Sequence, residues 1–134
     1  MEMPSAMTGF RKPLVVGVDD DFRLRESLKS LVESAGYAAA VYSSAEEFLQ
    51  SGALAGATCL VTDVRMPGMN GIELQRRIRI ERPELPVIFI SAHQDDEARK
   101  RALDEGAARF LYKPFDGAEL LRTIEAALKD SSED

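Results

Sequence analysis

Short apolar runs alternate along the chain with longer segments in which apolar residues recur every three or four positions. The first run covers residues 14–18, and leucine and valine positions at helical spacing follow it until Gly36. The same succession repeats through the rest of the chain, and only the second run is weakly apolar. Such alternation is typical of parallel strands that are joined by amphipathic helices.

The pattern predicts five strands and five helices. The predicted strands cover residues 14–18, 38–42, 59–62, 87–90 and 109–112. The predicted helices cover about 24–35, 45–49, 71–81, 95–105 and 116–128. Five strand–helix units predict an α/β fold with a doubly wound five-stranded parallel sheet, which binds ligands at the carboxyl ends of its strands. We expect one domain over residues 13–129, between a flexible arm at 1–12 and a tail at 130–134.

Composition is that of a globular protein. The 134 residues are 45% hydrophobic and 30% charged, which argues against disorder, collagen and coiled coil. The single Cys59 cannot form an internal disulfide, and one histidine leaves no cluster for structural zinc. The apolar runs are too short to span a membrane and no signal peptide is recognisable, so we expect a cytoplasmic protein without a membrane partner.

The overall charge argues against nucleic acid as a direct partner. The formal net charge is −6, and the isoelectric point is about 4.9. No basic stripe offsets this acidity. We therefore expect that this chain does not itself bind nucleic acid.

Polar side chains are predicted at the carboxyl ends of four strands. They are Asp19–Asp21, Asp63, Ser91 and Lys113. Each of them taken alone has a purely structural explanation, because an aspartate often caps a following helix and a Lys-Pro pair often forms a turn. Together they bring like charges to one edge of the sheet, where these charges repel unless a cation lies among them.

The charges at this edge indicate which cation would fit. Asp19, Asp20 and Asp63 with Lys113 leave a charge of −2, which a divalent ion neutralises. Carboxylate oxygens without cysteine, and without histidine at the strand ends, favour Mg²⁺, or Mn²⁺, over zinc. Asp63 can then act as a nucleophile toward phosphorus, while the metal and Lys113 neutralise the phosphoryl oxygens.

Four ordered motifs resemble those of a known family. They read VGVDDD at 16–21, LVTDVRMPGMNG at 60–71, VIFISAHQD at 87–95 and GAARFLYKPF at 106–115. Together they resemble the receiver domain of two-component response regulators over residues 14–129. The resemblance implies a flavodoxin-like receiver fold with strand order 2-1-3-4-5. The second motif is most similar to the branch of nitrogen-fixation and quorum-sensing regulators, whose members usually carry a C-terminal helix-turn-helix.

The resemblance implies roles for the acidic residues. Asp63 is similar to the aspartate that is phosphorylated in the family. Asp19 and Asp20 look like the acidic pair that holds Mg²⁺ together with Asp63 and the main-chain carbonyl of Arg65. Asp21 looks like a helix cap or a solvated residue.

The resemblance also implies roles for the remaining strand-end residues. Lys113 is similar to the lysine that pairs with the phosphoryl group, and the bond from Lys113 to Pro114 is similar to one that is usually cis. Ser91 stands where the family has Ser or Thr, whose hydroxyl donates to a phosphoryl oxygen. Phe110 stands at the family's switch aromatic, although an apolar ring in a fifth strand is also explained by the core alone.

Two further residues stand close to these positions in sequence. Arg65 lies two residues after Asp63, and His93 lies two residues after Ser91. We predict that both tune the lifetime of the phosphoryl group, and the alternative is that both are solvated loop residues. The sequence of the predicted fourth helix places acidic residues four positions before basic ones, which predicts three ion pairs: Asp95/Arg99, Asp96/Lys100 and Glu97/Arg101.

The resemblance implies a signalling phosphoacceptor rather than an enzyme, with self-catalysed phosphoryl transfer and autodephosphorylation as its only chemistry. The expected donor is a histidine kinase or a phosphotransfer protein. Phosphorylation is expected to switch the face formed by helix four, strand five and helix five, through which a homodimer can form. We interpret the chain as the receiver part of a transcriptional response regulator.

Two alternatives remain open. One is a stand-alone receiver that acts as a phosphorelay shuttle or as a regulator through protein interaction. The more remote one is a Mg²⁺-dependent phosphohydrolase with an aspartate nucleophile, a class that needs a second aspartate where this chain has Arg65.

Overall fold

A single parallel sheet forms the centre of the molecule. The computed structural model describes residues 12–92 and 94–132. Its five strands are all parallel and lie in the order β2-β1-β3-β4-β5, which confirms the predicted α/β fold. The strands are β1 Leu14–Val18, β2 Ala38–Tyr42, β3 Cys59–Asp63, β4 Val87–Ser91 and β5 Arg109–Tyr112.

Helices connect the strands and follow the last one. In the described part of the chain they are α1 Phe22–Ser34, α2 Ala45–Ser51, α3 Gly71–Glu81, α4 Asp96–Asp104 and α5 Gly117–Ser132, with a short 3-10 helix at Ala53–Gly56. Four helices begin after a polar side chain that accepts a hydrogen bond from a main-chain N–H of the first turn. These caps are Asp21, Ser44, Asn70 and Asp95. Asp21 thus caps α1, one of the two roles expected for it.

Apolar side chains fill both faces of the sheet. On one face, α2, α3 and α4 pack over residues that include Leu60 and Phe89. On the other face, α1 and α5 pack over residues that include Val61 and Ile88. Every residue of β3 and β4 is buried, because helices cover the central strands on both sides.

Six predicted elements differ from the structure at their ends, by one to four residues. α1 begins two residues earlier than predicted, and α2 ends two residues later. β3 continues to Asp63 and β4 continues to Ser91, because parallel pairing with the neighbouring strand extends through both residues. α4 is shorter than predicted, since Asp95 is its cap and Asp104 its last residue.

The chain ends are described only in part. α5 continues through Ser132, so residues 130–132 of the predicted tail are helical. Of the predicted arm at 1–12, all but Lys12 lies outside the described residues, as do residues 133–134. Within the described ranges, each helix is too short or too polar to cross a lipid bilayer.

Candidate functional site

The strand ends bring the predicted site residues together at one edge of the sheet. Asp19 follows β1, Asp63 and Ser91 end β3 and β4, and Lys113 follows β5. The Lys113 ammonium lies 3.1 Å from Oδ2 of Asp19 and 3.7 Å from Oδ2 of Asp63. Two carboxylates from distant parts of the chain therefore share one ammonium.

Asp19 is held from several directions. Its carboxylate accepts the main-chain N–H of Asp21 at 2.8 Å, and its carbonyl accepts a guanidinium N–H of Arg25 at 2.9 Å. The side chain is almost completely buried, and this burial raises its pKa, although the bond from Asp21 and the nearby Lys113 act in the opposite direction. Asp19 is thus a fixed carboxylate whose charged form is less favourable than that of a fully solvated aspartate.

Asp63 is in a similar environment. Burial raises the pKa of its carboxyl group, and the charge of Asp19 raises it further. Lys113 and hydrogen bonds from the main-chain N–H groups of Val64 and Arg65 act in the opposite direction. The net shift is upward, so additional positive charge at this edge would stabilise the carboxylate form.

The donor set fits a small hard cation. One oxygen from each of Asp19, Asp20 and Asp63 lies within 4.8 Å of the other two. Opposite ligands of Mg²⁺ are about 4.2 Å apart, because each Mg–O bond is about 2.1 Å long. Asp20 is exposed, which leaves its carboxylate free to rotate toward an ion or to reach it through water. The three residues can therefore hold a divalent cation, whereas the predicted role of the Arg65 carbonyl remains a prediction.

The loop between β3 and α3 is closed at its base and fixed near its tip. The Gly71 N–H donates to the carbonyl of Val64 at 2.8 Å. The carboxylate of Glu46, from the first turn of α2, accepts the Met69 N–H at 2.8 Å. Gly68 adopts a φ of 76° under this carboxylate, where a Cβ would collide with Glu46. These contacts fix the segment that carries Arg65.

Ser91 and Lys113 are linked through the main chain. The Lys113 N–H donates to the Ser91 carbonyl at 2.7 Å, which extends the pairing of Ser91 with Tyr112. Ser91 is buried, and the peptide bond from Lys113 to Pro114 is cis, as the resemblance implied. The chain thus carries the serine hydroxyl and the ammonium on adjacent strands.

Phe110 lies in a row of three rings beside the site. It stacks on Phe89 with the ring centroids 5.8 Å apart, and the Tyr112 ring meets it edge-on at 5.4 Å. Phe110 is 8% exposed and belongs to one of the two core clusters. Its position agrees with the core explanation, and its role as a switch remains a prediction.

The two residues predicted to tune the lifetime differ in how far they are described. Arg65 is exposed, and its guanidinium donates to Oδ2 of Asp95 at 2.9 Å. His93 lies outside the described residues. Asp95 therefore pairs with Arg65 rather than with Arg99 as the helical spacing predicted.

Two contacts of the site were not predicted from the sequence. Glu46 holds the β3–α3 loop, and Asp95 holds Arg65 while it caps α4. A helix-capping signal was visible for Asp95, since an aspartate before a helical segment is a common cap. No sequence signal joined either acid to the β3–α3 loop.

The chain is similar to known proteins over most of its length. The family model described as the response regulator receiver domain matches residues 15–125. The transcriptional regulatory protein FixJ of Azorhizobium caulinodans is 41% identical over 116 residues, which cover 87% of this chain and 55% of FixJ. The response regulator protein TodT of Pseudomonas putida is 41% identical over 119 residues, which cover 89% of this chain and 52% of TodT. The chain thus spans about half the length of either relative.

Solved structures agree with this similarity. The response regulator StyR matches with a TM-score of 0.83 and 43% identity over 91% of this chain and 62% of that one. The FixJ-N structure matches with a TM-score of 0.79 and 34% identity over 89% of this chain and 95% of that one. Because the family model covers residues 15–125 and the site residues lie at the strand ends expected for it, this chain belongs to the response regulator receiver domain family.

Proposed function

We propose that this chain is a phosphoacceptor that is phosphorylated on Asp63. The observation that carries the proposal is the buried pair Asp19 and Asp63, which shares the single ammonium of Lys113. One ammonium balances one carboxylate, so the second carboxylate and the neighbouring Asp20 leave negative charge at this edge. Buried surplus charge is costly for a fold, and such groups are concentrated where chemistry uses them.

The reaction requires a nucleophile, and Asp63 provides one. A carboxylate oxygen of Asp63 attacks phosphorus, and an O–P bond forms while the P–N bond of a phosphohistidine breaks and leaves the imidazole. With acetyl phosphate, a P–O bond breaks instead and acetate leaves. The Lys113 ammonium balances the charge that collects on the phosphoryl oxygens, and the Ser91 hydroxyl donates to one of them.

The acidic residues have a second task, which is to hold Mg²⁺, with Mn²⁺ as a substitute. Asp19, Asp20 and Asp63 would bind the ion together with the main-chain carbonyl of Arg65. Bound there, the ion supplies positive charge to the phosphoryl group. The fixed position of Asp19, with its hydrogen bonds from Asp21 and Lys113, supports this assignment because it preorganises one ligand.

The output of phosphorylation is a change at the α4–β5–α5 face. Ser91 moves toward the phosphoryl group, and the Phe110 ring fills the space that it leaves. The changed face binds a second copy of the domain. Moving such an equilibrium from 1:99 to 99:1 takes about 5.5 kcal/mol, which a few charge-assisted hydrogen bonds to the new group can supply. Arg65 and His93 are proposed to set how long the phosphoryl group persists.

The wider function is that of a transcriptional response regulator. FixJ is a transcriptional regulatory protein, and this chain matches 55% of its length. We propose that a histidine kinase or a phosphotransfer protein donates the phosphoryl group in the cytoplasm. DNA is read by another part of the whole protein, not by these residues. We propose that the chain catalyses only its own phosphorylation and autodephosphorylation. The alternative to a transcriptional output is a stand-alone receiver that acts as a phosphorelay shuttle.

The proposal is tested by incubating the protein with acetyl phosphate and Mg²⁺ and weighing the intact chain. The wild type is expected to gain one phosphate, and chelation of the metal is expected to prevent the gain. Asp63→Asn should gain none, whereas the control Asp104→Asn, at an exposed site on α4, should behave as the wild type. If Asp63→Asn gained phosphate at the wild-type rate, the assignment of Asp63 would be overturned. Rapid, continuous release of inorganic phosphate without phosphorylation of the chain would favour the phosphohydrolase.

A further inference from the structure

Arg65 connects the candidate phosphoacceptor to helix α4. Its main-chain N–H bonds to the carboxylate of Asp63. Its guanidinium bonds to Oδ2 of Asp95, the residue directly before α4, at 2.9 Å. The Arg65 side chain is 59% exposed and that of Asp95 is 26% exposed. One residue therefore contacts both the carboxylate that would be phosphorylated and the residue before the helix on the output face.

The Asp95 carboxylate is fixed, whereas the Arg65 guanidinium is free to move. The other oxygen of Asp95 accepts the Ala98 N–H at 3.0 Å and so caps α4. This bond holds the carboxylate in one place whether or not Arg65 is bound to it. The guanidinium is at the end of a long and mostly exposed side chain, so rotation about the side-chain bonds can move it.

The two ends of α4 are held by different kinds of contact. Near the carboxyl end, the buried side chain of Gln75 donates to the Ala102 carbonyl at 3.0 Å, and Arg76 binds both oxygens of Glu105 at 2.8–2.9 Å. Neither of these contacts involves the phosphoacceptor loop. At the amino end, the Arg65 bond to Asp95 does involve that loop.

We infer that Asp95 is a positioning residue for the phosphoacceptor site, where its carboxylate and the phosphoryl group on Asp63 compete for the Arg65 guanidinium. The inference rests on the function proposed above. Phosphorylation replaces the single charge of a carboxylate by a charge of about −1.5 to −2. The gain attracts Arg65 toward the phosphoryl oxygens and weakens its bond to Asp95. The amino end of α4 then loses a contact, while Gln75 still holds the carboxyl end.

The same competition sets the lifetime of the phosphoryl group. In autodephosphorylation, a water oxygen attacks phosphorus, the P–O bond to Asp63 breaks, and inorganic phosphate leaves with the carboxylate restored. A guanidinium that binds the phosphoryl oxygens lies in the path of this water. A guanidinium that Asp95 holds leaves the path open. Asp95 therefore shortens the lifetime, and it does so only through Arg65.

A double-mutant cycle tests this dependence. Asp95→Asn keeps an oxygen that caps α4, because asparagine caps helices as well as aspartate, but it removes the charge that holds Arg65. Each variant is phosphorylated with acetyl phosphate, the donor is removed, and the loss of phosphate is followed by intact mass. Asp95→Asn should lengthen the lifetime about fivefold, a factor at the low end of couplings between sites. In the Arg65→Ala background the same change should have no effect.

The control removes a different acid from α4. Asp104 pairs with Lys100 on an exposed part of the helix at 2.8 Å, and Asp104→Asn should leave the lifetime unchanged in both backgrounds. A lifetime that Asp95→Asn shortens, leaves unchanged, or lengthens equally in both backgrounds overturns the inference and leaves the proposed function intact. Failure of the wild type to take up phosphate on Asp63 overturns both.

Discussion

The body of β3 and its carboxyl end differ in what burial achieves. Leu60 and Val61 are fully buried, and each belongs to the core cluster on one face of the sheet. Asp63, two residues further along, is 8% exposed, and burial there raises the pKa of its carboxyl group. Along one short strand, burial first stabilises the fold and then opposes the charge that the site carries.

The difference shows how a stable interior supports an unfavourable site. Full burial of a leucine or valine side chain contributes about 1.5–3 kcal/mol. A buried carboxylate lowers stability unless its charge is balanced, and Asp63 must share its nearest ammonium with Asp19. The apolar part of the sheet therefore holds the carboxylates in place, and a bound cation would relieve their repulsion.

The largest expected effect comes from weakening the body of the strand. Leu60→Ala removes a fully buried side chain from the middle of the sheet and should lower the free energy of unfolding by about 3 kcal/mol. Urea denaturation followed by circular dichroism measures the loss. Ile80→Ala is the matched control, since Ile80 is 81% exposed and its truncation should cost little. Equal losses of unfolding free energy in Leu60→Ala and Ile80→Ala would show that burial in the body of β3 does not stabilise the fold.

An intermediate effect is expected where the body and the end of β3 meet α3. A Cβ on Gly71 would overlap the carbonyl oxygen of Asp63 and lie 3.0 Å from the Phe89 ring. Gly71→Ala should lower the free energy of unfolding by about 2 kcal/mol, as overpacking does, and it should slow phosphorylation because the Asp63 main chain must shift. In Gly117→Ala the new Cβ would lie 3.6 Å from Leu31, so this control should lose no stability.

Much of the fold followed from periodicity and capping. The runs at 14–18 and 109–112 are strands with the predicted bounds, and the segment at 71–81 is the predicted helix. Apolar runs and helical spacing reveal such elements because the buried face of each repeats at a fixed period. The meeting of Asp19 and Asp63 with Lys113 followed from the same reasoning, since parallel strands end at one edge.

The hydrogen-bond and ion-pair partners of exposed acidic residues could not be predicted from the sequence. Asp95 was expected to pair with Arg99, yet its carboxylate binds Arg65. A capping carboxylate lies over the N–H groups of the first turn, which directs it away from the later turns of the helix, where Arg99 lies. Glu46 binds the Met69 N–H only because the β3–α3 loop passes over α2, and a loop's path has no periodic signature.

The smallest expected effect has the opposite sign and comes from the end of the strand. Asp63→Asn removes a buried negative charge beside Asp19, so in metal-free buffer it should raise the free energy of unfolding by about 1 kcal/mol, a typical size for one site. Mg²⁺ should stabilise the wild type and have much less effect on this variant, because one of its three carboxylates is gone. Thermal denaturation with and without Mg²⁺ measures both differences.

The higher free energy of unfolding expected for Asp63→Asn should depend on pH, and this dependence identifies its cause. The pKa of Asp63 in the folded protein lies above its ordinary value of 3.8, so the folded state binds a proton more tightly than the unfolded chain does. The wild type should therefore gain stability relative to Asp63→Asn as the pH falls through the raised pKa toward 3.8. The advantage of the variant should be greatest at neutral pH and shrink on acidification. If it were the same at pH values above and below that window, the gain would arise from packing of the amide rather than from removal of charge.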